Sequence, residues 1–324
     1  MDTTQGPLEY FFRRLSQQTQ IQVQQDTPLP VAMRLRYGGD RFTGPTVVGD
    51  SELESLRELI PEAPMHLPGA VKLIESIQGR DRFGPVALTF DTSFFTELPN
   101  REQTYGLSPE LVDQLNIRRY GFHGLHHEAA CEEMLTATSQ ISADSPLRII
   151  SICLEPKPEV CSVMGKRPLT VTGGPTPLEG IPGERSCGEI DPTIVLELSS
   201  QNNWGPEKVN EVLTRESGIK GLTEQSSGID PILTRECGSD TLARQILFYR
   251  IQLACGAGIA ALGGVDAIVF SGRYASSSNP LQDHLRRNLL PALRNRDDIA
   301  FRNVDIPVQR IVADTTFPIF QNQD

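Results

Sequence analysis

The stretch RRYGFHGLHH, from Arg118 to His127, combines two arginines, two aromatic residues, three histidines and two glycines in ten positions. Arginine and histidine together suit an anionic, phosphate-like group, because a guanidinium binds oxygen atoms and an imidazole can donate to developing negative charge. The glycines on either side of Phe122 and His123 allow the backbone to approach a ligand closely. From the spacing alone a second interpretation stays open, in which the stretch is a polar turn that caps a helix at 128–135.

Apolar runs on both sides of this stretch alternate between strand and helix patterns, which predicts an α/β fold. The second predicted strand ends directly before Asp91, and ligand sites in α/β folds collect at the carboxyl ends of strands. Glu159–Val163 is predicted to form a hairpin with the strand before it. The predicted strands are Val31–Leu35, Pro85–Phe90, Leu147–Leu154, Glu159–Val163 and Ala267–Phe270. The predicted helices are Leu8–Gln18, Asp50–Leu59, Gly69–Gln78, Pro192–Leu198 (capped by Asp191) and Asp240–Leu262.

The chain has 324 residues, which is long enough for two domains, and a net charge of −11. This charge argues against nucleic acid and anionic membranes as general partners. We expect no apolar run of the roughly 20 residues that span a bilayer. The first residues, MDTTQGPLEYFF, lack the basic start and apolar region of a secretory signal. Six scattered cysteines without a CxxC pair predict free thiols in a reducing compartment, so we expect a cytoplasmic location.

Five further segments accompany RRYGFHG along the chain: MRLRYGGDRF (33–42), APMHLPGA (63–70), ALTFDTSFF (87–95), TPLEGIPGERSCGEIDP (176–192) and LGGVDAIVFSG (262–272). Together they resemble, in order, the motifs of the acetate kinase family, the acetate and propionate kinases of the actin/sugar kinase/Hsp70 superfamily. The resemblance extends from about Pro30 to about Phe270. It implies an α/β chain with a duplicated ribonuclease-H-like (actin-like ATPase) fold and two domains around a central cleft. We expect an N-terminal domain at 1–95 plus 312–324 and a C-terminal domain at 96–311.

The first of these domains differs from the family at its start. Family members open with a strand and a NAGSSS-type loop, and this sequence begins after that point. We therefore expect a first domain without its N-terminal hairpin, although it stays open whether Met1 is the true start. The truncated sheet should expose an edge, or the predicted helix Leu8–Gln18 should cover it.

The resemblance also implies catalytic residues on the acyl side of the site. Arg34 matches the arginine that contacts the carboxylate substrate, and Asp91 matches the aspartate associated with the metal and with nucleophile positioning. His123 matches the histidine that stabilises the transferring phosphoryl group. Arg185 matches a second essential arginine, although Cys187 is an extra residue against the family's RSGxxDP.

The pocket for the substrate's methyl group contains one substitution. Met65, Phe122 and Pro177 match its apolar wall, but Arg36 stands where the family has a small apolar residue. This arginine either turns outward or recognises a second acidic or polar group. We favour the outward orientation, because Arg34 and Arg36 share a face only if the strand stays regular.

The nucleotide side departs further from the family. The HLGNG phosphate loop is replaced by residues 153–157, CLEPK, in which Glu155 adds negative charge. Pro156 and Pro158 have no amide hydrogen to donate to a phosphate, and only Lys157 could partly compensate. The family's SSDxR and GIGEN segments read SSGID at 226–230 and RYASS at 273–277. The C-terminal IVADTTFPIF contains no clear match to the family's metal-linked glutamate.

Two functions are compatible with this pattern. The first is an acetate-kinase-type phosphotransferase that converts acetate or a related short acid and ATP to acyl phosphate and ADP, with Mg²⁺ as cofactor, as a homodimer. The second is a catalytically inactive pseudoenzyme that serves as a binding or regulatory protein. The retained acyl-side residues favour the first, and the altered nucleotide segments favour the second.

Overall fold

The structure is a computed structural model, and it describes residues 28–64, 66–138, 146–223, 228–234, 241–293 and 296–321. The strands are β1 (Leu29–Leu35), β2 (Thr46–Val47), β3 (Phe83–Phe90), β4 (Arg148–Cys153), β5 (Glu159–Met164), β6 (Arg167–Val171), β7 (Ala267–Ser271) and β8 (Ala300–Asn303). The α-helices are α1 (Asp50–Glu58), α2 (Leu67–Gln78), α3 (Asn100–Gln103), α4 (Pro109–Leu115), α5 (Gly124–Ala137), α6 (Pro192–Asn202), α7 (Pro206–Arg215), α8 (Gly218–Thr223), α9 (Ile229–Thr234), α10 (Leu242–Leu262), α11 (Asn279–Asn288) and α12 (Val308–Gln321). Short 3-10 helices lie at Ser93–Glu97, Ala275–Ser277, Leu290–Ala292 and Arg296–Asp298.

In the part of the chain that the structure describes, the first sheet contains three strands in the order β1-β3-β2. β1 and β3 are parallel, with Arg34 opposite Thr89 and Leu35 opposite Phe90, whereas β2 is antiparallel to β3. Within the described residues β1 pairs with β3 alone, so no other strand lies on its second edge there. The predicted helix Leu8–Gln18, and any cover that it gives to this edge, lies outside the described residues.

The second sheet contains five strands in the order β6-β5-β4-β7-β8. β4, β7 and β8 are parallel, while β4, β5 and β6 are joined as antiparallel hairpins, which confirms the predicted pairing at 159–163. Successive side chains of a strand point to opposite faces of its sheet. Ile150 and Ile152 therefore pack toward α10 on one face, and Ile149 packs toward α5 on the other. Helices cover both faces, as an α/β unit requires.

Helix α10 corrects one expectation. Its 21 residues make it long and apolar enough to cross a membrane by length and composition, although the sequence analysis expected no such run. In the structure it packs on β5, β6 and β4 and contributes Leu247 and Ile251 to the largest core cluster. A helix that is apolar on most sides is also what the core of a large domain requires.

The last helix returns to the first sheet. α12 packs against β1, β3 and α5. The assignment of residues 312–324 to the first domain stays a prediction. The boundary at residue 95 stays a prediction.

Helix α5 begins directly after the RRYGFHG segment, at a point of close backbone contact. The N–H of Gly124 donates to the carbonyl oxygen of Asp91 at 3.1 Å. A Cβ atom on Gly124 would lie 2.1 Å from that oxygen and 2.8 Å from Cβ of Phe94. Only glycine allows the start of α5 to approach the end of β3 so closely.

We therefore expect Gly124→Ala to lower the free energy of unfolding by about 1–3 kcal/mol or more, because the new methyl group clashes with backbone. The matched control is Gly69→Ala near the start of α2, where an added Cβ meets no atom within 4 Å. That change should be neutral or stabilise the protein by up to about 1 kcal/mol. Urea denaturation measures both variants. Equal stability of the two would contradict this account of the junction between β3 and α5.

Candidate functional site

The carboxyl ends of β1 and β3 bring two arginines to one buried aspartate. Asp91 follows β3, and its carboxylate is fully buried. Arg34 Nε donates to both carboxylate oxygens, at 3.1 and 3.0 Å, and Arg36 Nη1 donates to Oδ2 at 3.1 Å. Burial raises the pKa of Asp91, and the guanidinium groups of Arg34 and Arg36 oppose that shift. The cluster contains two fixed cations for one carboxylate, so it is suited to bind a further anion.

The orientation that we favoured for Arg36 was wrong. Its guanidinium donates to Asp91 and also to the carbonyl oxygen of Phe122, at 3.2 Å. β1 stays in register with β3 from Val31 to Leu35, so the regular strand places Arg34 and Arg36 on the same face. The Arg36 side chain keeps 37% of its surface exposed. It can therefore reach a ligand while it remains paired with Asp91.

The RRYGFHG segment lies between the two sheets. The N–H of Tyr120 donates to the carbonyl oxygen of Gly174 at 3.0 Å, on the loop that follows β6. The ring of Phe122 is buried in the core cluster of the first sheet, and its carbonyl oxygen accepts from Arg36. At Gly121, an added Cβ would lie 2.2 Å from the ring of Phe95. These contacts leave little freedom for the segment that carries His123.

A second buried carboxylate, Glu159, binds this segment from the side of the five-stranded sheet. Glu159 opens β5, opposite Cys153 of β4. Its oxygen atoms accept from the N–H of Phe122, at 3.2 and 3.1 Å, and from the N–H of His123, at 3.1 Å. His127 Nε2 lies 3.3 Å from Oε1, and His123 Nδ1 lies 3.6 Å from the same atom. Glu159 therefore contacts the segment through backbone and side chains together.

Glu159 is not among the site residues that the sequence predicted. The strand pattern placed it at the start of a hairpin partner, where a glutamate is expected at the solvent-exposed end of the strand. Burial alone would raise its pKa, but the neighbouring side chains of His123 and His127 lower the pKa of Glu159 well below its usual range. The sequence feature that could have identified Glu159 is its position as a charged residue at the start of the apolar run EVCSV, which is buried throughout.

Two of the three histidines of the segment are neutral near pH 7. Burial, aided by the guanidinium of Arg34, lowers the pKa of His126 to about 2. Burial also lowers the pKa of His127, whose Nδ1 lies 2.8 Å from Oγ of Ser151. Each of the three histidines keeps one buried ring nitrogen without a hydrogen-bond partner within the described residues: Nδ1 of His123, Nε2 of His126 and Nε2 of His127. His123 interacts electrostatically with Asp91, whereas His126 interacts with Arg34 and Arg36.

The loop that joins β4 to β5 occupies the predicted nucleotide side. Glu155 is buried and accepts from the N–H of Arg273, at 2.9 Å, and from its Nε, at 3.1 Å. The N–H of Leu154 donates to the carbonyl oxygen of Ser271 at 2.7 Å. Pro156 and Pro158 have no N–H to offer. Most polar groups of this loop are therefore bonded within the protein.

Lys157, the predicted compensating cation, is also bonded within the protein. Its ammonium group donates to the carbonyl oxygen of Ile181, and burial lowers the pKa of Lys157 to about 8. Nearby, the hydroxyl of Tyr274 donates to Glu184 at 2.8 Å, and the N–H of Ile229 donates to the same carboxylate at 3.1 Å. The segments that correspond to the family's nucleotide motifs are thus joined to one another.

Three predicted residues are not joined to the cluster by any contact in the described structure. Arg185 is exposed on the loop after β6, and no described residue forms a hydrogen bond or an ion pair with its side chain. Pro177 is half-buried on the same loop. Met65 lies outside the described residues. The structure therefore brings together Arg34, Arg36, Asp91, Phe122 and His123 of the predicted set.

The residues around Asp91 do not fit a magnesium ion. Mg²⁺ needs several oxygen ligands in octahedral geometry, usually carboxylates and water. Both oxygens of Asp91 accept from guanidinium groups, whose charge repels a cation. Within the described residues, no group of three histidine, cysteine or acidic side chains is arranged to hold a metal ion. The prediction that Asp91 is metal-linked therefore receives no support from this geometry.

Comparison with solved structures defines the fold. A crystal structure of acetate kinase from Porphyromonas gingivalis superposes with a TM-score of 0.81 and 23% identity, over 96% of this chain and 84% of that chain. A propionate kinase from Francisella tularensis subsp. tularensis SCHU S4 gives a TM-score of 0.78 and 20% identity, over 94% of this chain and 82% of that chain. The protein has the duplicated actin-like ATPase fold that the sequence predicted.

The chain belongs to the acetokinase family, whose model matches residues 1–290. An acetate kinase of Corynebacterium jeikeium is 31% identical over 264 residues, which are 81% of this chain and 64% of that protein. One of Syntrophobacter fumaroxidans is 32% identical over 265 residues, which are 81% and 63% of the two proteins. The chain therefore spans slightly less than two thirds of the length of these relatives.

The lowered pKa of Glu159 predicts a specific acid dependence of stability. A carboxylate whose pKa is lower in the folded than in the unfolded protein contributes stability above its unfolded value of about 4.3, and this contribution is lost as the pH falls through the folded value. We expect Glu159→Gln to be less stable than the natural chain at pH 7 by about 1–3 kcal/mol, as charge-assisted hydrogen bonds are lost. The difference in the free energy of unfolding between the two proteins should become smaller as the pH falls from about 5 to about 3. Urea denaturation across this range tests it, and a difference that does not change with pH would refute the assignment.

Proposed function

We propose that the chain retains the acyl side of an acetate-kinase-type phosphotransferase, with a site for a short carboxylate and its acyl phosphate, while its nucleotide side is degenerate. The observation that carries this proposal is the cluster of Arg34, Arg36 and Asp91 beside His123, which has an excess of positive charge. An acyl phosphate is a small anion of matching size and charge. Membership of the acetokinase family supports a carboxylate as the acceptor.

In this proposal each residue has a distinct role. Arg34 and Arg36 bind the oxygen atoms of the anion, and Asp91 fixes the orientation of both guanidinium groups. His123 stabilises the charge of a transferring phosphoryl group. Phe122 forms part of the apolar wall, with Met65 and Pro177 as its predicted partners. Arg185, which is exposed and has no ion-pair partner in the described structure, is available to a ligand as the second arginine of the site.

Several contacts support weak binding of ATP. Phosphates are held by amide hydrogens and by positive charge. In the loop at 154–158 two prolines remove amides, Glu155 holds Arg273, and Lys157 donates to Ile181. The resemblance implies ATP and Mg²⁺ as cofactors. The phosphates of ATP would therefore meet few free hydrogen-bond donors at this loop, and the described residues offer no group of metal ligands. The homodimer and the cytoplasmic location stay predictions.

The same contacts favour a second candidate, a pseudoenzyme that binds acyl phosphate or phosphate without turnover. The two candidates share the anion site and differ only in catalysis. Consumption of acetyl phosphate that is lost in His123→Gln would favour the phosphotransferase. Binding without consumption would favour the regulatory protein.

Calorimetric titration of the purified chain tests the shared part of the proposal. We expect MgATP to bind with a Kd weaker than about 1 mM, equivalent to about −4 kcal/mol, because several charge-assisted contacts are missing. Acetyl phosphate or inorganic phosphate should bind, and Arg34→Gln should weaken this binding at least about tenfold through the loss of a charge-assisted contact. Arg41→Gln is the matched control, since Arg41 pairs with Glu58 on the surface. The Arg41→Gln variant should bind acetyl phosphate or inorganic phosphate with the same affinity as the natural chain.

Two results would contradict the proposal in different ways. Robust ATP-dependent formation of acyl phosphate would show that the nucleotide side is functional. An unchanged affinity for phosphate in Arg34→Gln, or no anion binding by the natural chain, would show that the arginine cluster is not the anion site.

A further inference from the structure

His123 has a buried ring nitrogen that faces a carboxylate from another part of the fold. Nδ1 lies 3.6 Å from Oε1 of Glu159 and has no other polar partner within the described residues. The backbone N–H of His123 donates to the same oxygen at 3.1 Å, which holds the ring beside it. Nε2 lies on the opposite side of an imidazole from Nδ1, so it is the nitrogen left for a ligand.

The groups around Glu159 determine which hydrogen bonds its carboxylate can accept. The carboxylate has acceptor sites only, and it already receives the N–H groups of Phe122 and His123. His127 Nε2 lies 3.3 Å from Oε1 without forming a hydrogen bond, and Nδ1 of His127 lies 2.8 Å from the hydroxyl oxygen of Ser151. An acceptor-only group beside Nδ1 of His123 favours a proton on that nitrogen.

We propose that Glu159 is a positioning residue that keeps a proton on Nδ1 of His123 and acts as the buried counter-ion when Nε2 is protonated by the approach of an anion. The carboxylate then balances the imidazolium, and Nε2–H donates to a tetrahedral oxyanion such as a phosphoryl group. A neutral ring in this position would offer no charge to the anion. Glu159 would thus act on the ligand through His123, without contact to the ligand itself.

The other groups around His123 do not supply this counter-charge. Asp91, His126 and His127 interact electrostatically with His123, as does Glu159. Asp91 is occupied by Arg34 and Arg36, and both other histidines are kept neutral by burial. Glu159 is the carboxylate that contacts Nδ1, so the proton on that nitrogen depends on it.

The tautomer of His123 can be measured without any activity. In protein with ¹⁵N-labelled histidine, long-range ¹H–¹⁵N correlations distinguish Nδ1–H from Nε2–H in a neutral ring, and His123→Gln identifies the signals of residue 123. We expect Nδ1–H in the natural chain. Glu159→Gln should shift the ring toward Nε2–H, because the amide presents a donor to the histidines. An Nε2–H tautomer in the natural chain would overturn the proposal, even if Glu159→Gln failed to fold.

Sulfate binding measures the consequence for the ligand. Sulfate keeps its charge between about pH 5 and pH 8, so a change in its affinity over this range reports groups of the protein. The natural chain should bind sulfate more tightly as the pH falls. Glu159→Gln should bind it about tenfold more weakly at the low end of the range, with a flatter pH profile, since one charge-assisted contact is lost. An equal affinity and an equal pH profile in the two proteins would overturn the proposal.

A matched control separates this role from a general effect on the segment. Glu179 pairs with Arg119 of the same RRYGFHG segment, with Arg119 Nη2 at 2.7 Å from Oε1, and also accepts from Tyr105. Glu179→Gln should leave the tautomer of His123 and the sulfate affinity unchanged within about twofold. Effects equal to those of Glu159→Gln would assign Glu159 a structural role only.

The sulfate measurement rests on the proposed anion site, whereas the tautomer measurement does not. If the natural chain binds neither sulfate nor phosphate, the proposed function fails. The tautomer of His123 would then still decide whether Glu159 positions the ring. If the anions bind and the tautomer is unaffected by Glu159→Gln, the positioning role fails while the anion site stands.

Discussion

A charged group that is removed from water requires a partner, and this requirement organises the junction between the two sheets. Asp91 at the end of β3 is fully buried and is paired with two guanidinium groups from the end of β1. Glu159 at the start of β5 is buried, accepts from backbone amides of the RRYGFHG segment, and lies beside the rings of His123 and His127. That segment is fixed between the two carboxylates, because Gly124 also donates to the carbonyl oxygen of Asp91. The position of His123 follows from both anchors.

The same requirement gives the two sides of the site different chemistry. Beside Asp91 the positive charge exceeds the negative, and part of Arg36 remains exposed. Beside Glu155 both cations already have partners within the protein, since Arg273 pairs with the carboxylate and Lys157 donates to a backbone carbonyl. An incoming phosphate gains new ion pairs on the first side. On the second it must first break existing contacts, which is the physical reason for proposing a degenerate nucleotide side.

Much of this arrangement could be predicted from the sequence, for identifiable reasons. Apolar runs of strand length located β1, β3, β4, β5 and β7 within one or two residues, because both faces of these sheets are covered. The segment RRYGFHG and the family motifs identified Arg34, Asp91 and His123. Glu159 was missed because a pattern of apolar residues cannot show which charged residue will be buried by a distant segment. Arg36 was oriented incorrectly because its pairing with Asp91 depends on a carboxylate 55 positions away.

The central claim is that anions bind at the arginine cluster and not at the loop between β4 and β5. A crystal structure of the protein soaked with inorganic phosphate tests it directly. The account predicts a phosphate ion within hydrogen-bond distance of Arg34 or Arg36 and of Nε2 of His123, with Glu155 and Arg273 still paired. A phosphate bound to the backbone of residues 154–158, with the arginines next to Asp91 unoccupied, would contradict it.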